Sequence, residues 1–408
     1  MKRVIGYTFL VALLLCGVVG IQSARAECFS EAGGEDTLSV SFITCEPGPL
    51  IYELYGHSAI RIRNTGSRKF DLAFNYGMFD FNTPNFVWRF LLGKTDYHMA
   101  AYPFADFVAE YEQRGSAVIE QQLNLTAVEK QRLVTSLVTT AMREDWTYRY
   151  NFFYDNCTTR ARDEIENCLD GKIVYPTDSS KETESYRSIV HKYTDGNPWS
   201  EFGEDLLLGQ AADEPIDYRQ KMFAPMYMEK YNNGALVIDS AGAKRRLVVA
   251  TKVYPPTRAM SEVSGFPIPP IGVFGAWLAI VVGVCFMEIR TERVVWGIEA
   301  LMMTVQGIAG CLIALLFFFS EHPTVSTNWL LMLLNPIPLL YMPMRIIKTR
   351  GHRFDIYAPV VMVWILLFII ISVVVPQTFN ASIYCFALSL LLQTATATYI
   401  QHKAAWKR

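Results

Sequence analysis

Residues 154–166 read YDNCTTRARDEIE, and a single cysteine in this stretch stands where a helix is predicted to begin. Asp155 or Asn156 can serve as the N-cap, which places Cys157 in the first turn. A thiol in that position feels the positive end of the helix dipole and unpaired backbone N–H groups, so its pKa falls and the nucleophilic thiolate is favoured. The stretch therefore predicts both the start of a helix and a candidate nucleophile.

A histidine lies about a hundred residues earlier, in YGHSAIRIRN (residues 55–64). His57 begins a strand-like run, and Gly56 leaves room beside it. An imidazole next to Cys157 would take the thiol proton and return it to a leaving group, while the Cys157 N–H would help to hold an oxyanion. The residues expected to support this site are Tyr55, Gly56, Asp71, Tyr76, Asp155 and Asn156.

Strands are predicted near residues 37–44, 57–63 and 70–76, with a turn at 64–67. A hairpin that turns near residue 66 places Asn75 opposite His57, so Asn75 is predicted to orient the imidazole and Asp71 is the fallback. The patterns elsewhere predict helices near 85–93, 100–114, 126–145 and 157–170, and a further strand within 235–250. This mixture predicts an α+β domain over residues 27–260.

A structural interpretation competes with the catalytic one. A lone cysteine at a helix start is usually a small buried residue, and a lone histidine in a strand is usually a hydrogen-bonded structural group. Together, with Asn75 nearby, they favour a catalytic pair. No metal or other cofactor is expected, because His57, His98 and His191 are widely spaced and H-x-x-x-H, C-x-x-C and G-x-S-x-G motifs are absent from the sequence.

Four cysteines fall in the 27–260 region: Cys28, Cys45, Cys157 and Cys168. Cys157 and Cys168 would lie about 16 Å apart along one helix, whereas a disulfide needs its Cα atoms within about 7 Å. Cys28 and Cys45 are therefore the disulfide candidates, although Cys45 could instead approach Cys157. Cys168 is expected to be buried on the same helix face as Ala161 and Ile165.

The ends of the chain indicate export and membrane insertion. Residues 1–26 fit a secretory signal peptide ending in Ala24-Arg25-Ala26, with a retained anchor as the alternative. Five apolar segments of spanning length are predicted at 267–288, 295–319, 327–345, 355–376 and 379–400. The loops after the first, third and fifth carry Lys and Arg, which predicts a periplasmic N-terminal domain, a helical domain over 267–400 and a cytoplasmic tail at 401–408. The net charge of −2 gives no indication of nucleic-acid binding.

Several motifs resemble the bacterial family named for the Lnb N-terminal periplasmic domain. They are TCEPGPLIYELYGHSAIRI, FNYGMFDF, FFYDNCTTRARDEIE, DLLLGQAADEP and MFAP. SEHPTVSTNWLLMLLNPIPLLYMP resembles the five-helix transmembrane domain that accompanies it. The order of His57 and Cys157 is also similar to permuted papain-like proteins, including NlpC-type peptidases and lecithin:retinol acyltransferase. This second resemblance implies a permuted papain-like core, with residues 76–157 as a helical insertion, and a site of His57, Cys157 and Asn75.

The leading hypothesis is a multi-pass inner-membrane protein with a thiol hydrolase or acyltransferase site in the periplasm. Its substrate would be an amide or acyl ester of the cell envelope, such as a peptide, a glycan-peptide or a lipid, and the bilayer would be its other partner. The alternative is a non-catalytic assembly or maturation factor for exported or surface proteins. A transporter is a weaker third hypothesis, because the apolar segments contain almost no ionisable residues.

Overall fold

The computed structural model describes residues 37–67, 69–80, 82–143, 145–176, 183–260, 265–351 and 353–406. The predicted signal peptide and Cys28 lie outside these residues. The chain divides into two compact units. The first contains the described residues of Met1–Phe86, Lys94–Glu182 and Ile216–Val263, and the second those of Val87–Gly93, Thr183–Pro215 and Ser264–Arg408. Two segments of the 27–260 region, 87–93 and 183–215, thus group with the second unit.

The first unit is built on an antiparallel sheet of seven strands in the order β10-β5-β1-β2-β3-β4-β6. These strands are β1 Leu38–Cys45, β2 His57–Asn64, β3 Phe70–Met78, β4 Asp96–Pro103, β5 Val118–Leu123, β6 Tyr148–Arg149 and β10 Val248–Tyr254. A small second sheet contains β7 Gly171–Val174, β8 Leu236–Asp239 and β9 Lys244–Arg246. The structure contains the three strands predicted first, and the predicted strand at 235–250 is divided among β8, β9 and the start of β10.

Helices cover both faces of the large sheet. The helices up to residue 234 are α1 Phe86–Leu91, α2 Phe104–Arg114, α3 Ala127–Ala141, α4 Cys157–Cys168, α5 Tyr186–Thr194, α6 Pro198–Leu207, α7 Tyr218–Lys221 and α8 Pro225–Gly234. The helix predicted from residue 100 was wrong at its start, because residues 96–103 pair with β3 and form β4. Thr126 and Glu129 form a capping box at the start of α3, which begins close to the predicted position.

The strand alternation separates two cores. Val40, Phe42 and Ile60 point to the core that contains α3, α4 and α8, and Cys157 and Cys168 lie in the same core. Ile43, Cys45 and Ala59 point to the opposite core, beneath α2. His57 and Asn75 each stand two residues from a member of this second core, Ala59 and Ala73, so they lie on the same face of the sheet as the second set. A histidine on one face and a cysteine from the other can therefore meet only where the strands end, and His57 is the first residue of β2.

The second unit is rich in apolar helices. They are α9 Pro270–Thr291, α10 Trp296–Phe319, α11 Ile337–Arg350, α12 Tyr357–Ile371 and α13 Ala381–Trp406. Among the residues that the structure describes, four apolar helical segments are long enough to cross a membrane, namely Pro270–Thr291, Trp296–Phe319, Trp329–Arg350 and Ala381–Ala404, whereas Tyr357–Ile371 is shorter. In the third of these segments, a short 3₁₀ turn at Trp329–Met332 precedes α11.

Charged groups are buried near the ends of these apolar helices. The guanidinium of Arg345 pairs with Glu299 at 2.8 Å and with Asp355 at 3.4 Å, and Lys348 lies 3.1 Å from Asp355. The sequence pattern alone did not single out this cluster. Its two cations and two carboxylates balance in charge, which is typical of a structural ion-pair network.

Candidate active site

His57 is positioned by the glycine that precedes it. Gly56 has φ +72°, and a Cβ at this residue would lie 2.3 Å from the carbonyl oxygen of Cys45. Only glycine fits both constraints, so the chain can turn sharply out of the 46–56 loop and enter β2 directly at His57. The imidazole ring then packs parallel to Tyr111 of α2, with ring centroids 6.4 Å apart.

Cys157 is positioned by the cap of α4. The side-chain oxygen of Asn156 accepts hydrogen bonds from the N–H groups of Thr158 and Thr159, both at 2.9 Å. The Asn156 amide also donates to the carbonyl oxygens of Phe152 and Phe223, both at 2.8 Å. Asn156 is therefore the N-cap and fixes the helix start against two other segments. Cys157 stands in the first turn, as predicted, and is only 7% exposed.

Asn75 contacts the imidazole, although it does not face His57 across the hairpin. The strand register pairs Asn75 with Ala59, two residues further along β2. Its side-chain oxygen nevertheless lies 3.1 Å from His57 Nε2, and its amide donates to the carbonyl oxygen of Ala73 at 3.3 Å. This second bond fixes which end of the amide meets the ring. His57 Nε2 then carries the proton, and Nδ1 is left to accept a proton from a thiol.

The His57 imidazole and the Cys157 thiol are in hydrogen-bonding contact and shift each other's pKa. Burial alone would raise the pKa of Cys157, but the charge and hydrogen bond of His57 outweigh it, and the Ser58 N–H and Thr158 hydroxyl assist. The resulting thiol pKa is about 7. Burial likewise opposes a charged His57, yet the thiolate and the hydrogen bond that His57 donates to Asn75 raise the pKa of His57. The geometry therefore favours a thiolate–imidazolium pair near neutral pH.

A small cavity adjoins the thiol. It has a volume of about 20 Å³ and is lined by Tyr55, Gly56, Tyr150, Phe152, Asn156, Cys157, Thr158, Phe223, Ala224 and Pro225. A cavity of this size holds about one water molecule. Three of the residues predicted to support the site, Tyr55, Gly56 and Asn156, thus line it. Tyr55 packs edge-on against Phe152 with ring centroids 4.6 Å apart.

Three predicted supporting residues serve other contacts. Asp71 pairs with Arg61 at 2.6 Å, so this fallback partner for His57 is engaged elsewhere. Asp155 pairs with Arg160 and is not the cap. Tyr76 is buried in the core on the α4 face and interacts with Glu164. Its strand position explains this, because residues 75 and 76 point to opposite faces of the sheet.

Family models match both parts of the chain. The model of the Lnb N-terminal periplasmic domain matches residues 31–193, and that of the Lnb transmembrane domain matches residues 261–405. The chain belongs to the Lnb family. No curated protein and no solved structure matches it. The resemblance of the motifs to the Lnb family is thereby confirmed, whereas the similarity to permuted papain-like proteins stays a prediction. The Lnb architecture makes the chain an inner-membrane protein in which a periplasmic domain, containing His57, Asn75 and Cys157, is anchored by transmembrane helices.

The structure brings further residues to the Lnb candidate site that the sequence reading missed. The Ser58 hydroxyl lies 3.1 Å from that of Thr158 and links β2 to α4 beside the thiol. Tyr150 contacts the thiol and lines the cavity. Phe223 accepts the Asn156 bond. Ser58 and Thr158 each follow a predicted catalytic residue in the sequence, and this adjacency was the feature that could have indicated their place in the site. Phe223 stood inside the MFAP motif and Tyr150 stood two residues before FFYDNCTTRARDEIE, but neither carried a distinguishing pattern.

The cysteine predictions have mixed outcomes. Cys45 is fully buried and pairs across the sheet with His57, and its buried thiol interacts with Tyr111 and Cys157. Its predicted disulfide with Cys28 stays a prediction, since Cys28 lies outside the described residues. Cys168 is buried at the end of α4, on the face predicted for it.

One cluster of potential metal ligands lies in the second unit. The ligand atoms of His191, Glu201 and Asp205 lie within 4.8 Å of one another. The same Asp205 oxygen, however, accepts from Arg187 at 2.7 Å and from His191 at 2.9 Å. The guanidinium already neutralises this carboxylate, so the cluster fits an ion-pair network better than a cation site.

Proposed function

We propose that this Lnb protein is a membrane-anchored, cysteine-dependent acyltransferase or hydrolase that acts on an amide or acyl ester of the cell envelope. The observation that carries the proposal is the contact of Cys157 with His57, together with the bond from His57 to Asn75 at 3.1 Å. Each group has the pKa shift that nucleophilic catalysis needs. The similarity to permuted papain-like proteins, in which His, Cys and a polar residue form the site, supports the same assignment.

Each residue of the site has a role in the proposed reaction. The Cys157 sulfur attacks the substrate carbonyl, the carbonyl oxygen becomes an oxyanion, and the N–H of Cys157 in the first turn of α4 is a donor for it. His57 transfers its proton to the leaving alcohol or amine, and an acyl thioester remains on Cys157. Water or an acceptor nucleophile then gives its proton to His57, attacks the thioester and releases the acyl product. Asn75 keeps the imidazole oriented throughout.

The membrane topology belongs to the same proposal. Four long apolar helices and the shorter Tyr357–Ile371 would give five spans, with residues 401–408 in the cytoplasm and residues 27–260 in the periplasm. An odd number of spans agrees with a cleaved signal peptide and a periplasmic N-terminal domain. Because the protein is anchored in a bilayer, where acyl lipids are abundant, lipid acyl esters are the first substrates to test.

The decisive experiment looks for the thioester. Full-length protein in phosphatidylethanolamine–phosphatidylglycerol vesicles with isotope-labelled acyl chains is quenched in acid and measured by intact-mass spectrometry. A parallel reaction uses soluble peptide amides. We expect one added acyl group on Cys157 that neutral hydroxylamine removes and that Cys157→Ala lacks. The absence of an adduct with both substrate classes would refute the proposal and favour the non-catalytic assembly or maturation factor.

A further inference from the structure

Tyr150 is held in a fixed position relative to Cys157. It follows β6 and precedes a tight loop in which Asn151 and Asp155 exchange two backbone hydrogen bonds of 2.9 and 3.0 Å. The Asn151 side chain also accepts from the N–H groups of Phe153 and Tyr154. This loop ends at the cap of α4, so the same hydrogen bonds that position the nucleophile also position Tyr150.

The ring of Tyr150 is packed on two sides. It stacks on Tyr97 with ring centroids 4.5 Å apart. On the other side lies Gly77, at which a Cβ would come within 3.4 Å of the Tyr150 ring and 3.7 Å of the Cys157 Cβ. Gly77 has φ +85° and interrupts the regular pairing of β3 with β4. The backbone thus leaves room for the phenol and the thiol side by side, and Tyr150 and Cys157 line the same cavity.

We propose that Tyr150 is a fourth catalytic residue, whose hydroxyl donates a hydrogen bond to the Cys157 thiolate before attack and to the substrate oxyanion after it. This inference rests on the proposed acyl-transfer function and adds a donor to it. During attack the negative charge leaves sulfur and appears on the carbonyl oxygen bonded to the same carbon. A donor that lies beside the sulfur and faces the cavity can follow this charge over a short distance.

The chemistry of the phenol agrees with a donor role. Burial first, and the neighbouring thiolate second, raise the pKa of Tyr150 well above its ordinary value. The hydroxyl therefore keeps its proton over the pH range in which His57 and Cys157 exchange theirs. It can donate a hydrogen bond but does not compete with His57 as a base. Tyr150 neither gains nor loses a proton in this scheme, because the proton moves only between Cys157, His57 and the leaving group.

The test compares Tyr150→Phe with Tyr148→Phe. Tyr148 is a matched control because it carries the same side chain on the same segment, with its ring centroid 6.3 Å from that of Tyr150, and it is not among the residues that line the cavity. Two rates are measured on full-length protein over a range of pH. One is alkylation of Cys157 by iodoacetamide, which forms no oxyanion. The other is acylation by p-nitrophenyl acetate, which does, with Cys157→Ala as the background.

We expect Tyr150→Phe to raise the apparent pKa in the alkylation profile. At a pH where the thiol is fully ionised, it should slow acylation by about 10-fold or more and change alkylation by less than about threefold. Tyr148→Phe should leave both rates within about twofold. Equal factors on both reactions, or no difference between the two variants, would overturn the assignment.

The test also separates this inference from the function on which it rests. If the wild-type protein forms no thioester with the ester probe, the proposed function fails and Tyr150 has no oxyanion to stabilise. If the wild type is acylated and Tyr150→Phe is acylated equally fast, only the role of Tyr150 is refuted. A thermal unfolding midpoint for each variant confirms that the rates refer to folded protein.

Discussion

Replacing His57 by alanine should move the reactivity of Cys157 to high pH. In the wild-type protein the thiol pKa is about 7, because the neighbouring His57 outweighs the effect of burial. Without the imidazole, the main effect that lowers the thiol pKa is lost and burial still raises it. The thiol pKa should then return at least to its ordinary value of 9.0. At pH 7 the thiolate fraction then falls from about one half to about one hundredth, roughly 50-fold.

The expected rate change is smaller than 50-fold. A thiolate of higher pKa is intrinsically more nucleophilic, and over two pKa units this offsets the loss by about eightfold. Alkylation of Cys157 at pH 7 should therefore slow by about sixfold or more. Above about pH 10 both thiols are ionised, and the variant should react faster than the wild type. The two pH profiles should thus cross, which a simple loss of access to the thiol would not produce.

The assay follows iodoacetamide labelling of the Cys157 peptide by mass spectrometry between pH 5.5 and 10.5. His98→Ala is the matched control. His98 lies exposed on β4 and is not among the groups that shift the pKa of Cys157. Its removal should leave the Cys157 profile unchanged. Parallel profiles for wild type and His57→Ala, or labelling of Cys157 only after a reductant is added, would refute the thiolate–imidazolium pair.

Three further substitutions test how the site is built. Asn75→Ala should slow alkylation at pH 7 by about 3- to 10-fold because the imidazole loses an orienting bond, while Asp71→Ala should leave it within about twofold. Gly56→Ala should lower the free energy of unfolding by more than about 2 kcal/mol, since it adds a steric clash to the strain of positive φ. Gly242 also has a positive φ, +86°, but a Cβ there would meet no atom within 4 Å, so Gly242→Ala should lower the free energy of unfolding by only about 1 kcal/mol. Asn156→Ala should cost about 2–4 kcal/mol by chemical denaturation, because it removes the cap and leaves buried groups unpaired. Equal effects of Asn75→Ala and Asp71→Ala, or of Gly56→Ala and Gly242→Ala, would contradict these assignments. A loss below about 0.5 kcal/mol for Asn156→Ala would contradict its role as the cap.

The sequence predicted the chemistry of the site more accurately than its geometry. The predicted hairpin register was wrong by two residues, since Asn75 pairs with Ala59 rather than with His57. An error of two keeps every side chain on its face of the sheet, whereas an error of one would have moved Asn75 to the other core. Asn75 still reaches the imidazole for this reason. The sequence pattern also placed Asp71 correctly on β3. Its ion pair with Arg61 could not be predicted, because the spacing of residues in the sequence does not show this contact.

The elements that were missed depend on tertiary contacts. Residues 96–103 contain Ala100, Ala101 and Met99, which favour helix, yet they pair with β3 and close one side of the site. Pairing with a strand twenty residues earlier outweighs a local preference of a few tenths of a kcal/mol per residue. Tyr150 was missed for a similar reason. Its position beside the thiol depends on the Asn151–Asp155 bridge and on the space at Gly77, and both appear only when the chain is folded.

Burial makes the proposed nucleophile depend on its neighbours. Burial alone would raise the pKa of Cys157 and leave an inert thiol. The difference between a thiol pKa of about 7 and the ordinary 9.0 corresponds to about 3 kcal/mol in favour of the thiolate, and the contacts of His57, Ser58 and Thr158 must supply this after overcoming desolvation. A structural cysteine has no need of such contacts. Cys45 shows the contrast: it is also buried and pairs across the sheet with His57, yet its pKa is raised well above the ordinary value, chiefly by burial. The same fold thus holds one thiol inactive and prepares the other for attack, and this difference is the strongest physical argument that Cys157 is used in chemistry.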